Sequence, residues 1–258
     1  MIKKGTLSFN TKILIAICGL GNPNGEIKKN ACVRNLELLN KTAPKNSQID
    51  IKIFCYDDLN LHEFNRFKNC EIIREPGIIG QFIYKHLSPK NILSYDNLFL
   101  MLDDIELQDN VNLADMIEIQ KNCEFDILSP SATEDSKISH NGFMKVRRDI
   151  PKNTLLILNF LEFFSYLFNL NNPESYKKWH SLINKNTKWM WGIDMILSPI
   201  LKMKLGLLNN MNFKHTQHGG SYTNDAHEEI RALESKFGQK VLHELKILEA
   251  LLITVCNE

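Results

Sequence analysis

With 258 residues and 43% apolar side chains, the chain is long enough for one large α/β domain with a sizeable core, and wholesale disorder is excluded. Its net charge of +1 argues against general nucleic-acid binding, which rests on a strong basic excess. The six cysteines stand scattered with no Cys-x-x-Cys pair, so a reducing cytoplasm is expected and neither a zinc site nor a disulfide framework is.

The apolar run at 12–18 predicts a buried first strand, and it is too short for a membrane span. The Gly-rich turn at 19–25 follows, and two readings of it stay open. One is a dinucleotide loop, whose glycines let a pyrophosphate approach a helix N-terminus; the other is ordinary Pro-Asn-Gly turn chemistry. The spacing to the third glycine is too long for the dinucleotide fingerprint. A helix is predicted over 26–39 with Ala31, Leu36 and Leu39 inward, then strands over 49–56 and 67–73. The second strand ends at Asp57-Asp58. A carboxylate there often contacts a base or ribose in nucleotide-binding α/β folds, a solvated turn being the equal alternative. A helix over 80–87 carries Lys85 and leads to the central strand.

That strand is the uninterrupted run 98–102, of the kind buried on both faces, and it stops on Asp103-Asp104. Both carboxylates are thereby delivered to the carboxyl edge of the sheet, where open α/β folds bind ligands and where a hard divalent cation finds its preferred oxygens. The alternative is that the pair opens a loop and caps the next helix. A helix over 112–120 and a strand over 125–129, closed by Pro130, come next. The polar stretch 131–149 reads as an active-site loop or a disordered excursion. Glu162 lies within the aromatic-rich segment 155–168, and an acid buried there needs a partner or a task. After a helix over 173–184, Trp189 and Trp191 stand beside Asp194, a grouping suited to stacking on a sugar ring and accepting its hydroxyls. A helix over 195–204 and a strand over 207–213 lead to His215 and His218. From 225 onward, Ile230, Leu233, Phe237, Val241, Leu245, Leu248 and Leu252 predict one long amphipathic helix, packed on the domain or on a second copy of the chain.

Four segments together resemble the GT-A class of nucleotide-sugar glycosyltransferases, from about Lys12 to Tyr222. They are Gly80-Gln81-Phe82-Ile83-Tyr84-Lys85-His86, the strand ending in Asp103-Asp104, Asp126-Ile127-Leu128-Ser129-Pro130, and Trp191-Gly192-Ile193-Asp194. One departure stands out: Leu102 occupies the first of three positions that are acidic in the commonest form. The resemblance implies an α/β GT-A-like fold, a central mostly parallel sheet flanked by helices, over 1–222, with 223–258 as a helical extension. It implies transfer from a nucleotide-sugar donor, UDP-linked, to a saccharide or glycolipid acceptor. Cys18, Gly19, Asp57, Lys85 and Asp103 would then line the donor. Asp103, Asp104 and His215, with His218 as the alternative to the last, would hold Mn²⁺ or Mg²⁺. Asp194 would be the general base of an inverting reaction, and Glu162 would bind a sugar hydroxyl. Two further classes stay open: a Rossmann-type oxidoreductase or methyltransferase using the 19–25 loop, and a non-catalytic sugar-binding relative.

Overall fold

A computed structural model describes residues 10–21, 24–138, 140–216, 224–238 and 246–252. Its first half alternates strand and helix: β1 (Lys12–Leu20), α1 (Gly25–Thr42), β2 (Gln48–Cys55), β3 (Cys70–Arg74), α2 (Ile79–His86), α3 (Pro89–Ile92) and β4 (Asn97–Leu102). Then come β5 (Ile105–Leu107), α4 (Leu113–Asn122), β6 (Ile127–Ala132), β7 (Thr154–Leu158), β8 (Ser165–Asn169) and α5 (Pro173–His180). The last elements are α6 (Ile193–Ile196), β9 (Leu205–His215), α7 (Asn224–Phe237) and β10 (Ile247–Leu252). All the strands join one mixed sheet in the order β10-β7-β9-β6-β8-β4-β1-β2-β3, with β5 paired to β9. The β3-β2-β1-β4 half is parallel. Beyond it, β8 inserts antiparallel between β4 and β6, and β7 and β10 form an antiparallel edge.

The continuous apolar runs of β1 and β4 follow from burial on both faces. Along β1, Leu14, Ala16 and Cys18 enter the core on one side of the sheet, and Ile13, Ile15 and Ile17 the core on the other. β4 divides likewise, Leu98 and Leu100 against Phe99 and Met101. Phe82 and Ile83 of α2 and Tyr176 and Trp179 of α5 cover the first side; Leu36 and Leu39 of α1 and Leu113 and Met116 of α4 cover the second.

Two expectations are corrected, and one of two alternatives falls. The strand expected to close at Pro130 continues to Ala132, and its register against β9 shifts between Pro130 and Ser131. Such an irregularity tolerates a residue without an N–H. The polar stretch after it is ordered over its described residues, with the Ala132 N–H donating to the Met144 carbonyl at 2.8 Å and the Val146 N–H to the Ala132 carbonyl at 2.7 Å. Among the described residues the long C-terminal helix does not extend past Phe237. α7 ends at Phe237, because Gly238 adopts φ +64 and donates its N–H to the Glu234 carbonyl at 2.9 Å, a left-handed helix stop. Leu248 and Leu252, which complete the helical spacing on paper, lie instead in β10, antiparallel to β7. Val241 and Leu245 fall outside the described residues.

Candidate active site

The carboxyl ends of β1, β2 and β4 converge on Asp103. Its N–H donates to the Cys18 carbonyl at 3.2 Å. Gly19, at φ +98, passes so close that a Cβ there would lie 3.5 Å from Asp103 Oδ1. Gly21 lies flat on Tyr56, where a Cβ would meet the ring at 2.5 Å. α1 turns one stripe toward this edge, Lys28, Cys32 and Asn35, whose spacing keeps them on a single helix face. The Lys28 ammonium is 2.9 Å from Asp103 Oδ2, and the Cys32 thiol lies 3.6 Å from the Asp103 carbonyl. Buried Asn35 brackets the turn beyond, donating to the Ile105 carbonyl at 2.7 Å and accepting from the Leu107 N–H at 2.8 Å.

The register Ile105↔His215 brings β9 to the same place. His215 Nε2 lies 3.0 Å from Asp104 Oδ2, while its Nδ1 is held by the Lys137 carbonyl. The Thr216 N–H and hydroxyl both donate to the Asp104 carbonyl, at 3.1 and 3.0 Å. Oδ1 of Asp104 is buried with no hydrogen-bond partner among the described residues. Asp126 gives the contrast: its two oxygens accept from Asn172, Ser175 and the Lys204 N–H at 2.7, 2.6 and 2.8 Å. Asp126 is built into the frame, whereas Asp104 keeps an oxygen in reserve.

Burial pushes Asp103 up to about 7, with the Lys28 ammonium opposing the rise and Asp104 adding to it. Burial acts on Asp104 in the same direction, but the hydrogen bond and charge of His215 outweigh it and hold that carboxyl below its usual range. For His215, burial disfavours the imidazolium and Asp104 more than compensates, so its pKa is raised. Each group thus favours the charged form of the other.

Two carboxylates and an imidazole are donor types that a divalent cation accepts, and such an ion would satisfy the donorless Asp104 Oδ1. Among the described residues, however, no group of three or more His, Cys, Asp or Glu side chains is gathered for a metal. Lys28 already neutralises Asp103. The residues present fit a cation at Asp104 and His215, with Asp103 contested.

A second acidic pair adjoins the first. Asp194 lies in the first turn of α6, entered through Gly192 at φ +80, and its Oδ1 accepts the Met195 N–H at 3.0 Å. Burial, reinforced by the charge of Glu162, raises Asp194 to about 7. Glu162, in the connection from β7 to β8, also acts on the charge of His215. The charge of Glu162 thus reaches both Asp194 and His215. The loop leading to Asp194 is gripped from two sides. The Gly80 N–H donates to the Lys188 carbonyl at 2.9 Å, and a Cβ on Gly80 would lie 2.6 Å from the Thr187 carbonyl. From α7, Glu229 accepts the N–H groups of Lys188, Trp189 and Trp191 at 2.5, 3.0 and 3.1 Å.

The remaining predicted residues stand apart from these groups in their contacts. Cys18 is buried and offers only its backbone carbonyl to Asp103. Asp57 is built into its own turn, accepting the Leu59 N–H at 3.0 Å while its carbonyl takes Arg74 at 2.8 Å. Lys85 is exposed and ion-paired to Glu75. His218 lies outside the described residues. Lys28, Tyr56 and Glu229 escaped the sequence reading. Lys28 had one usable signal, its place on the helix face shared with Cys32 and Asn35; Glu229 had none, since its partners are backbone groups. A surface cavity lined by Gln48, Asp50, Lys52, Glu71 and Tyr95 sits at the amino ends of β2 and β3, the edge opposite the site.

In its architecture this mixed, half-parallel sheet flanked by helices resembles solved structures of the GT-A fold. TarS residues 1–349 of S. aureus, solved with UDP-GlcNAc, superposes with a TM-score of 0.59 at 11% identity, covering 90% of this chain and 68% of that one. GalNAc-T7, solved with UDP, GalNAc and Mn²⁺, gives 0.60 at 10% identity over 87% of this chain and 48% of that one, so the chain spans about half its length. At these identities the likeness is one of fold. No protein-family model and no curated protein matches the chain. Among the described residues no helix is long and apolar enough to cross a membrane.

Proposed function

We propose that the chain is a glycosyltransferase that moves a sugar from a nucleotide-diphosphate donor, UDP-linked, to a hydroxyl of a saccharide or glycolipid acceptor. Asp104 carries the reading: a half-buried carboxylate whose buried Oδ1 lacks a donor among the described residues, at the carboxyl edge of a fold whose neighbours were solved with UDP-GlcNAc or with UDP, GalNAc and Mn²⁺. Asp104 and His215, joined by Asp103 when Lys28 yields, would hold Mn²⁺ or Mg²⁺. Bound there, the ion supplies positive charge to the leaving diphosphate.

The chain's own residues do the rest. Gly19 and Gly21, without side chains, let the chain pass close against Asp103 and the Tyr56 ring, and the donor would lie along this turn. Asp194 takes the acceptor proton as the acceptor oxygen bonds to the anomeric carbon. The bond to the diphosphate oxygen breaks in the same step, and its electron pair leaves with the nucleotide. A carboxylate of ordinary pKa is a weak base; raised to about 7, Asp194 suits proton abstraction at neutral pH. Glu162, whose charge helps raise it, binds a sugar hydroxyl. Direct displacement of this kind inverts the anomeric centre.

UDP release from a panel of UDP-sugars, with simple saccharides as acceptors, tests the reading. Turnover of one donor in the wild type, lost in Asp194→Asn, is the expected result. No turnover or binding of any nucleotide-sugar, with binding of NAD(H) or S-adenosylmethionine instead, would overturn it.

A further inference from the structure

Asp103 is already paired with a cation belonging to the chain. The Lys28 ammonium lies 2.9 Å from its Oδ2, and both side chains are largely buried, at 12% and 10% exposed. Among the described residues Asp103 is the ion-pair partner of the Lys28 ammonium, and no second carboxylate holds it. Its backbone is fixed near the start of α1, where the Lys28 N–H donates to the Asn24 carbonyl at 3.1 Å. Its neighbour gives a comparison: the Lys29 ammonium is held by Glu26 and Glu63, both at 2.8 Å, and by the Asn60 carbonyl at 3.2 Å. Lys29 is tied down on three sides, whereas Lys28 faces the site.

We infer that Lys28 is a resident counter-ion of the donor site, holding Asp103 when the site is empty and competing with a divalent cation for that carboxylate. A cation taking both Asp103 and Asp104 must first displace the ammonium, which is then left as a positive charge beside the anionic diphosphate. When no metal binds, the same ammonium is the charge available to the diphosphate. The inference rests on the donor site proposed above.

The test measures Mn²⁺ binding by electron paramagnetic resonance to the full chain without nucleotide, in the wild type, Lys28→Met and Lys28→Arg. Loss of the competing charge should tighten Mn²⁺ binding in Lys28→Met by about tenfold, the coupling typical of a close charge pair, and Lys28→Arg should stay near the wild type. Calorimetry with UDP in EDTA should show Lys28→Met weakened by about tenfold as well. Should Lys28→Met prove unstable, Lys28→Gln serves in its place. Unchanged or weaker Mn²⁺ binding in the neutral variants, or no Mn²⁺ binding by any form, overturns the inference. If the wild type binds no UDP under any condition, the glycosyltransferase reading fails, and the Mn²⁺ comparison still decides whether Lys28 guards the carboxylate.

Discussion

Glu229 of α7 accepts the backbone N–H of Trp191 at 3.1 Å and so reaches the loop that ends in Asp194. With the N–H groups of Lys188 and Trp189 it holds three donors on one carboxylate. The grip encloses Met190, whose φ of 66 is costly for a side chain of that size and persists only where the surroundings impose it. Glu229→Ala should therefore lower kcat by about 10–100-fold, the scale of a misplaced catalytic group, with UDP affinity little changed. Glu229→Gln, which keeps an acceptor oxygen, should recover part of that loss. A kcat unaffected by either substitution would show that the loop is set by Gly80 and the core alone.

Asp194 as general base has a pH signature. The group must be ionised to accept a proton, so kcat/KM should rise with pH through about 7 and then level. Asp194→Asn should lose about 10²–10⁴-fold in kcat, flatten that limb and leave UDP binding intact. Loss of UDP binding along with activity would make Asp194 a structural residue of α6.

The same group links stability to pH. Its folded pKa of about 7 lies above the ordinary value near 4, so the folded state binds the extra proton between them. Stability from this source is complete below about pH 4 and falls as pH rises through about 7. Asp103, also raised to about 7, adds a term of the same sign. Asn at 194 never ionises. The melting temperature of Asp194→Asn relative to wild type should thus be more favourable at about pH 8 than at about pH 5. A difference independent of pH would mean that Asp194 keeps an ordinary pKa.

His215 holds Asp104 ionised, and its Nδ1 is oriented by the Lys137 carbonyl. Replacing it by Ala should weaken Mn²⁺-supported UDP binding by about 10–100-fold, the effect of losing a ligand or its orienting partner. Binding in EDTA should change less. Equal losses in both conditions would point to collapse of the edge rather than to a metal role.

The parallel half of the fold was legible because its strands are buried on both faces: 13–18 and 98–102 are unbroken apolar runs, and only a central strand accepts such a run. Asp103 and Asp104 were legible for the same reason, since a buried strand that stops on two acids puts them at the sheet edge. Contacts decided by pairing across the fold were not. The meeting of Asp104 with His215, separated by 111 residues, depends on the register of β5 with β9. Lys28 reads as a solvated helix lysine until α1 is docked. At the C-terminus, apolar spacing of three and four carried across Gly238 suggested a single helix, yet the six residues of β10 satisfy either period, and the left-handed glycine breaks the run.

One titration tests the donor site most directly: UDP into the full chain by calorimetry, in Mn²⁺, in EDTA, and in Asp104→Ala. The site described here predicts binding in Mn²⁺, weaker binding in EDTA where Lys28 acts alone, and loss of the Mn²⁺-dependent part in Asp104→Ala. UDP binding that Asp104→Ala leaves untouched, or no binding in any condition, would contradict a donor site built on that carboxylate.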